Sequence, residues 1–319
     1  MTLSKQIKQK ALDLGFDLVA ITDACPINKK DIDSLKNWLN ASFNGQMHYM
    51  EKNFQKRINP ANLLEKAQSV IVTAVNYTPP TKLQPPNKTK PTGKIANYAQ
   101  YQDYHTFIKT HLYKLAEYAN SLTNSNAKYK ICVDSVPLAE RALAARAGIG
   151  FVAKNHMLTN PQLGSQLLLG EIITELKLES DTKLDITCKE CDRCIRNCPT
   201  GALQSDGQFN ANKCISYLTI ELKDDIPPEL ENQIGDRLFG CDLCITTCPY
   251  NQTTPPCKNK DFKFSPEKAE IDLQKILNME IEEFDTEFAD SPIKRAGLEK
   301  LKSTAKTCLN NFIRRKIEN

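Results

Sequence analysis

Apolar residues recur with helical spacing at Leu3, Ile7, Ala11 and Leu14, and Gly15 follows as a C-cap. Phe16 to Ile21 reads as a short strand and Asp33 to Phe43 as a helix. Ser69 to Val75 (SVIVTAV) is β-branched and continuously apolar, the pattern of a buried strand. Tyr104 to Tyr118 returns to helical spacing, and Tyr129 to Val133 is another strand, ending at Asp134. Pro137 then opens a helix through LAERALAARAG with Gly148 as its C-cap, and Leu167 to Ile173 is a further strand. Strand and helix thus alternate over the first 180 residues, which predicts an α/β layered fold. Residues 79–93 interrupt the pattern with five prolines and several Lys and Thr, as a lid or a disordered loop would. No internal repeat is evident.

The chain has 319 residues, enough for two domains or for one large domain with an appendage, and its 40% hydrophobic content excludes wholesale disorder. No run of about 18 apolar residues occurs, so no membrane helix is expected. The first residues, MTLSKQIKQKALDLG, lack the apolar stretch and cleavage site of a secretory signal, which points to the cytoplasm. Twelve cysteines in a reducing compartment then suggest metal or redox chemistry rather than a disulfide scaffold.

Eight of these cysteines fall between 188 and 248. Cys188, Cys191, Cys194 and Cys198 precede Pro199 in the order C-x2-C-x2-C-x3-C-P, the bacterial ferredoxin spacing for a [4Fe–4S] cluster. In that arrangement three thiolates hold one cluster and the fourth, next to Pro, reaches a second. Cys241, Cys244 and Cys248, before Pro249, repeat the spacing without its first cysteine, whose place is taken by Leu238. Cys214 is the free cysteine nearest before this run, and Cys257 competes for the role. The count closes with Cys188, Cys191, Cys194 and Cys248 on one cluster and Cys198, Cys214, Cys241 and Cys244 on the other. Structural zinc is the alternative, since four-cysteine zinc sites also use C-x2-C pairs. Cys25, Cys132 and Cys308 read as small buried hydrophobes.

Other candidates are less marked. Asp134 stands at a strand end, where ligands of α/β sheets gather, and would serve as a general acid if burial raised its pKa. A helix N-cap ahead of Pro137 fits it equally well. The stretch AGIGFVAKNHM (147–157) has the Gly, Lys and Asn of a loop close to a large ligand, but not the order of a P-loop. No G-x-G-x-x-G or H-E-x-x-H occurs, and the four histidines are scattered. The net charge of +4 hides a split. Residues 261–290 carry ten acids against three Lys, and residues 292–319 carry eight Lys and Arg against two Glu. That basic end (Lys294, Arg295, Lys300, Lys302, Lys306, Arg314, Arg315, Lys316) suits phosphates, or is a solvated helix face.

The run CISYLTIELKDDIPPELENQIGDRLFGCDLCITTCPYN (214–251) closely resembles the epoxyqueuosine reductase family, as do DSVPLAERALAARAGIGFVAKN (134–155) and CPTGAL (198–203). The family's D-[ST]-x-P-x-x-E-R block is matched by Asp134, Ser135, Pro137, Glu140 and Arg141, and its G-[IL]-G…K-N block by Gly148, Gly150, Lys154 and Asn155. Arg57 and Pro60, DYH at 103–105, and Asn97 also fit, over roughly residues 1–310. Phe151, Val152 and Ala153 depart from the usual aromatic-Ile-Gly before Lys-Asn, and the HEAT-like helices of longer members are missing beyond the first.

The resemblance implies an α+β protein with an N-terminal α/β cobalamin-binding catalytic domain (1–180), similar to corrinoid reductase folds. A two-[4Fe–4S] ferredoxin-like module (181–258) and a short helical tail (259–319) follow. It implies base-off cobalamin, in keeping with the lack of a D-x-H-x-x-G element, bound through Arg57, Asn97, Asp134, Lys154 and Asn155. Asp134 would donate the proton. The implied reaction is reduction of epoxyqueuosine to queuosine at the wobble position of tRNA anticodons, the last step of queuosine biosynthesis. The implied partners are the tRNA anticodon loop and an external low-potential electron donor, with the enzyme a monomer. Competing readings are a two-cluster electron carrier, a corrinoid reductase of small molecules, and a zinc-bearing RNA binder.

Overall fold

The computed structural model describes residues 1–80, 90–123 and 125–318. Most of the Pro-rich 79–93 segment, with its lid expectation, lies outside them. The chain begins α1 (Leu3–Asp13), β1 (Leu18–Asp23), α2 (Lys29–Asn40), α3 (Tyr49–Lys52), α4 (Phe54–Ile58), β2 (Ser69–Asn76) and β3 (Thr92–Ile95). It continues α5 (Tyr104–Thr123), β4 (Tyr129–Cys132), α6 (Glu140–Arg146), β5 (Phe151–Val152), β6 (Leu158–Thr159) and β7 (Leu167–Thr174). These elements fall close to where the apolar pattern puts them. Within the 147–157 stretch, β5 pairs with β6 as a small antiparallel ribbon.

The main sheet has the order β1-β2-β7-β4. Helices cover both of its faces, as the alternation predicts. On one side Ile7 and Ala11 of α1 and Ile108 and Leu112 of α5 pack on Ile71 and Ile172. On the other, Leu143 and Ala144 of α6 pack on Val70, Val72 and Ile173. The strands themselves are not parallel, since every neighbouring pair runs antiparallel. Burial on both faces makes an antiparallel strand as continuously apolar as a parallel one, so the residue pattern carries no direction. Gly170 lets α5 approach β7: a Cβ there would stand 2.4 Å from Cγ2 of Ile108.

The second half runs α7 (Arg193–Arg196), α8 (Ile215–Ile220), α9 (Pro228–Ile234), β8 (Arg237–Phe239), α10 (Leu243–Thr246) and β9 (Glu270–Asp272). It ends with α11 (Leu273–Asn278), α12 (Ile281–Glu287) and α13 (Leu298–Ile317). β3 pairs with β8 on one side, parallel, and with β9 on the other, antiparallel. One core gathers Ile95, Leu218, Leu238, Phe239, Leu273, Leu301 and Cys308. The three segments that the sequence separates therefore share a sheet and a core. Among the described residues no helix is long and apolar enough to cross a membrane.

A repeat emerges that the whole-chain pattern conceals. CDRCIRNCP (191–199) and CDLCITTCP (241–249) fold alike. Asp192 O accepts from Ile195 and Arg196, and Asp242 O accepts from Ile245 and Thr246. Cys198 N donates to Ile195 O as Cys248 N donates to Ile245 O. Each run thus makes one helical turn, α7 or α10, that ends on a cysteine before Pro. Cys132 and Cys308 are buried, as expected, but Cys25 is exposed. It sits in the turn after β1, where its N–H donates to Asp23.

Candidate active site

β4 is an edge strand, and the chain leaves it through Val133 into a tight turn. Asp134 there has φ +47, a left-handed conformation that an L residue adopts only under constraint. Helix α6 starts at Glu140 with Ala139 at its N-cap, so Asp134 does not cap it. Instead the Asp134 N–H donates to Glu140 Oε1 at 2.6 Å. Its carboxylate accepts from the Tyr104 hydroxyl at 2.8 Å and lies 3.4 Å from His105 Nε2. The other ring nitrogen of His105, Nδ1, lies 2.8 Å from Asp103 Oδ1. The Asp134 side chain remains 56% exposed, open to a ligand.

The electrostatics reverse one expectation. The hydrogen bond with His105 outweighs burial and holds the Asp134 carboxyl below its ordinary value. For His105, burial opposes the charge, but bonding to Asp103 and Asp134 raises it to about 9. Asp134 would act as a general acid on its own only if burial raised its pKa. Its cationic neighbour prevents that, and the proton rests on the imidazole.

Behind Asp134 lies a cluster of charges. Arg57 on α4 accepts Ala139 N–H at its carbonyl, and its guanidinium faces Tyr49, Glu140 and Asp134. Its Nε is buried with no hydrogen-bond partner among the described residues. Arg141 donates to the carbonyl of His156 and so ties the 153–157 turn to α6. Glu171 of β7 is 0% exposed. The next two expected cofactor ligands, Lys154 and Asn155, stand in that turn. Lys154 N–H donates to Cys188 Sγ at 3.3 Å, and buried Asn155 donates to Cys244 O at 3.2 Å. Asn97 bridges the two halves: its N–H donates to Asp242, and its side-chain amide engages Gln166 and Gln100. Arg57 and Asp134 thus lie together, whereas Lys154, Asn155 and Asn97 lie against the cysteine module. Tyr98 packs edge-on against Tyr104 at 6.3 Å and beside Phe239 at 6.2 Å, joining the two regions.

The cysteines form two groups. Cys188, Cys191, Cys194 and Cys248 line one cavity together with Ala153, Asn155, Arg193 and Tyr250. Cys214 interacts with Cys198, Cys241 and Cys244. Cys194 and Cys244 are neighbours across the two groups. Cys214 precedes α8; burial pushes its thiol above the ordinary value, and the Tyr217 and Ser216 N–H groups that its sulfur accepts from offset part of that rise. Leu238 is fully buried in β8, which explains why that position supplies no ligand. Cys257 is elsewhere, beside Tyr101 and Asp17. Among the described residues no three His, Cys, Asp or Glu side chains converge tightly enough for a single ion. Cysteines around a cavity suit a cluster of several irons better than zinc.

Three of the eight cations of the basic end are committed to the fold. Lys294 pairs with Asp285 at 3.2 Å, Arg295 with Glu221 at 2.7 Å, and Lys300, 9% exposed, donates to Asp224 O. Arg295 also lies within electrostatic reach of Asp134.

Sequence reasoning did not assign Tyr104, His105 or Glu171 to the site. The DYH stretch could have pointed to the first two. A lone acid in the apolar run LLLGEIIT was a sufficient reason to single out Glu171.

Comparison with known proteins agrees with this geometry. Residues 187–251 match a family model described as a 4Fe-4S double cluster binding domain. Residues 57–135 match one described as Epoxyqueuosine reductase QueG, DUF1730. The chain is 37% identical to the epoxyqueuosine reductase of Cyclobacterium marinum over 92% of each chain. It is 34% identical to that of Vibrio cholerae, over 92% of this chain and 79% of the relative. It superposes with a TM-score of 0.90, at 32% identity, on a crystal structure of epoxyqueuosine reductase with an epoxyqueuosine-modified tRNA-Tyr stem loop. That match covers 97% of this chain and 81% of the other. The Streptococcus thermophilus enzyme gives a TM-score of 0.89 at 32% identity, covering 98% and 82%. With likeness running through both the cysteine module and the sheet that carries Asp134, this chain belongs to the epoxyqueuosine reductase family.

Proposed function

We propose that this chain reduces epoxyqueuosine to queuosine in the anticodon loop of tRNA, with Asp134 as its catalytic carboxyl. The observation that carries the reading is the exposed Asp134 carboxylate, held by Tyr104 and His105 and joined through Tyr98 to the cysteine module. Opening the epoxide to an alkene consumes two electrons and two protons and releases the oxygen as water. Cys188, Cys191, Cys194 and Cys248 hold one [4Fe–4S] cluster, and Cys198, Cys214, Cys241 and Cys244 hold the other. Cys194 of one group lies within electrostatic reach of Cys244 of the other, which gives electrons from an external low-potential donor a short passage between them.

Cobalamin, which the family resemblance implies, supplies when bound a low-valent cobalt that delivers electrons to the substrate. The partnerless buried Nε of Arg57, next to Asp134, fits a site completed by a polar ligand. Asn97, Lys154 and Asn155 complete the ligand set on the cluster side. His105 holds a proton 3.4 Å from Asp134 and passes it through that carboxylate to the departing oxygen. Residues 1–180 form the catalytic unit, 181–258 the cluster unit and 259–319 the tail that closes its core.

The tRNA stem loop seen with the relative reaches this chain by its phosphates, and Arg295 brings the tail's charge to the Asp134 side. Of the lysines in the 79–93 segment, Lys82 and Lys88 lie outside the described residues. The test is anaerobic turnover of an epoxyqueuosine-bearing stem loop by the reconstituted enzyme with cobalamin and a strong reductant. Mass analysis should show epoxyqueuosine replaced by queuosine, and its persistence in a fully loaded enzyme refutes the reading. Binding should weaken as salt rises.

A further inference from the structure

Glu171 is a buried acid that no step above uses. It sits on the central strand β7, opposite Cys132 of β4 and Glu171's other neighbour Val72 of β2, and is 0% exposed. Among the described residues neither carboxyl oxygen has a conventional donor. What it meets is the carboxyl of Glu140, at hydrogen-bonding contact. Two carboxyl groups bond only if one of them carries a proton, and two bare carboxylates at such contact would repel strongly in a dry site. Glu140 in turn holds the N–H of Asp134 at 2.6 Å.

We propose that Glu171 is a positioning residue: it stays protonated at neutral pH and donates to Glu140, which as a carboxylate fixes the strained Asp134 turn. The charges around the pair agree with this division. Asp134 faces it from the β4–α6 turn, Arg141 from α6, Arg57 from α4, Tyr104 from α5 and Cys132 from β4. The Arg57 and Arg141 guanidiniums lie on the Glu140 side, and the charged groups that act on Glu171 are the carboxyls of Glu140 and Asp134. Burial pushes Glu171 well above its ordinary value and also raises Glu140, to about 7, but the bond between them acts in opposite senses, raising Glu171 and lowering Glu140. The result is a three-part link, from the central strand through α6 to the left-handed Asp134.

This inference rests on Asp134 being the catalytic carboxyl, and the test separates the two. Infrared spectra of the cluster-loaded protein at neutral pH should show a protonated carboxylic acid that Glu171→Gln removes. Gln keeps an N–H donor for Glu140, so Glu171→Gln should retain kcat within about threefold. Glu171→Leu lacks the donor and should lose on the order of tenfold or more in kcat, with KM for the stem loop little changed. A wild type without the carboxylic band, or a Gln variant as impaired as the Leu variant, overturns the proposal. If Leu prevents folding, the infrared band and the Gln variant still decide. Failure of the Asp134 reading would appear separately, as full turnover by Asp134→Asn.

Discussion

His105 Nε2 stands 3.4 Å from the Asp134 carboxylate, and of the two it is the imidazole that keeps the proton. The site is therefore a charged pair, with Asp103 behind the ring to hold its orientation. Asp134→Asn should leave both clusters and cofactor binding intact, because Asn still accepts from Tyr104. It cannot relay a proton, so turnover should fall about 10²- to 10⁴-fold. Single-turnover assays of the anaerobic enzyme check this.

The pair also sets a pH dependence. His105 has a folded value of about 9 against an ordinary 6.5, so folding tightens its proton. Its stabilising contribution is complete below about pH 6.5 and is lost as pH rises through 9. His105→Gln should remove that decline of Tm between those limits. Asp134, held low, works in the opposite sense and loses its contribution only in acid. An unchanged Tm profile in the Gln variant would count against the pair.

Cys214 and Cys257 are separated by a direct measurement. Cys214→Ala should reduce bound iron and acid-labile sulfide toward half, because one cluster loses a corner. Cys257→Ala should leave both contents unchanged. Equal loss in both variants would overturn the assignment of the eight ligands.

Gly170→Ala tests the packing of α5 on the sheet. The added methyl would meet Ile108 at 2.4 Å in a filled core. Denaturant unfolding should show a loss of about 1–3 kcal/mol. A neutral result would mean that α5 is free to retreat from β7.

How far the residues announce this structure depends on the range of the interaction. Helix α1, strands β2 and β7 and the C-terminal end of α6 were legible because their cause is local: spacing, branching, and Gly15 and Gly148 at positive φ, whereas α6 starts at Glu140, three residues after the expected Pro137. Strand direction was not legible, because Val70 or Ile172 is buried equally well either way. The cysteine spacing pointed to two groups, since a thiolate run encodes its own geometry. Asp134 was located correctly at a strand end, yet its charge state depends on His105 and Tyr104, 29 and 30 residues before it in the chain. No window of sequence shows those neighbours together. The same holds for Lys300, which reads as surface charge but is spent on the Asp224 carbonyl.

The small sheet β8-β3-β9 bears on how this protein can be handled. Its middle strand comes from before helix α5, and its flanking strands come from either side of Cys248. A fragment cut at the ends of the cysteine module would leave β8 with an open edge and Leu238 and Phe239 without their cover. The iron-bearing part should therefore resist transplantation as a free-standing ferredoxin. A chimera that exchanges electron modules between relatives would have to carry residues 92–95 along with it.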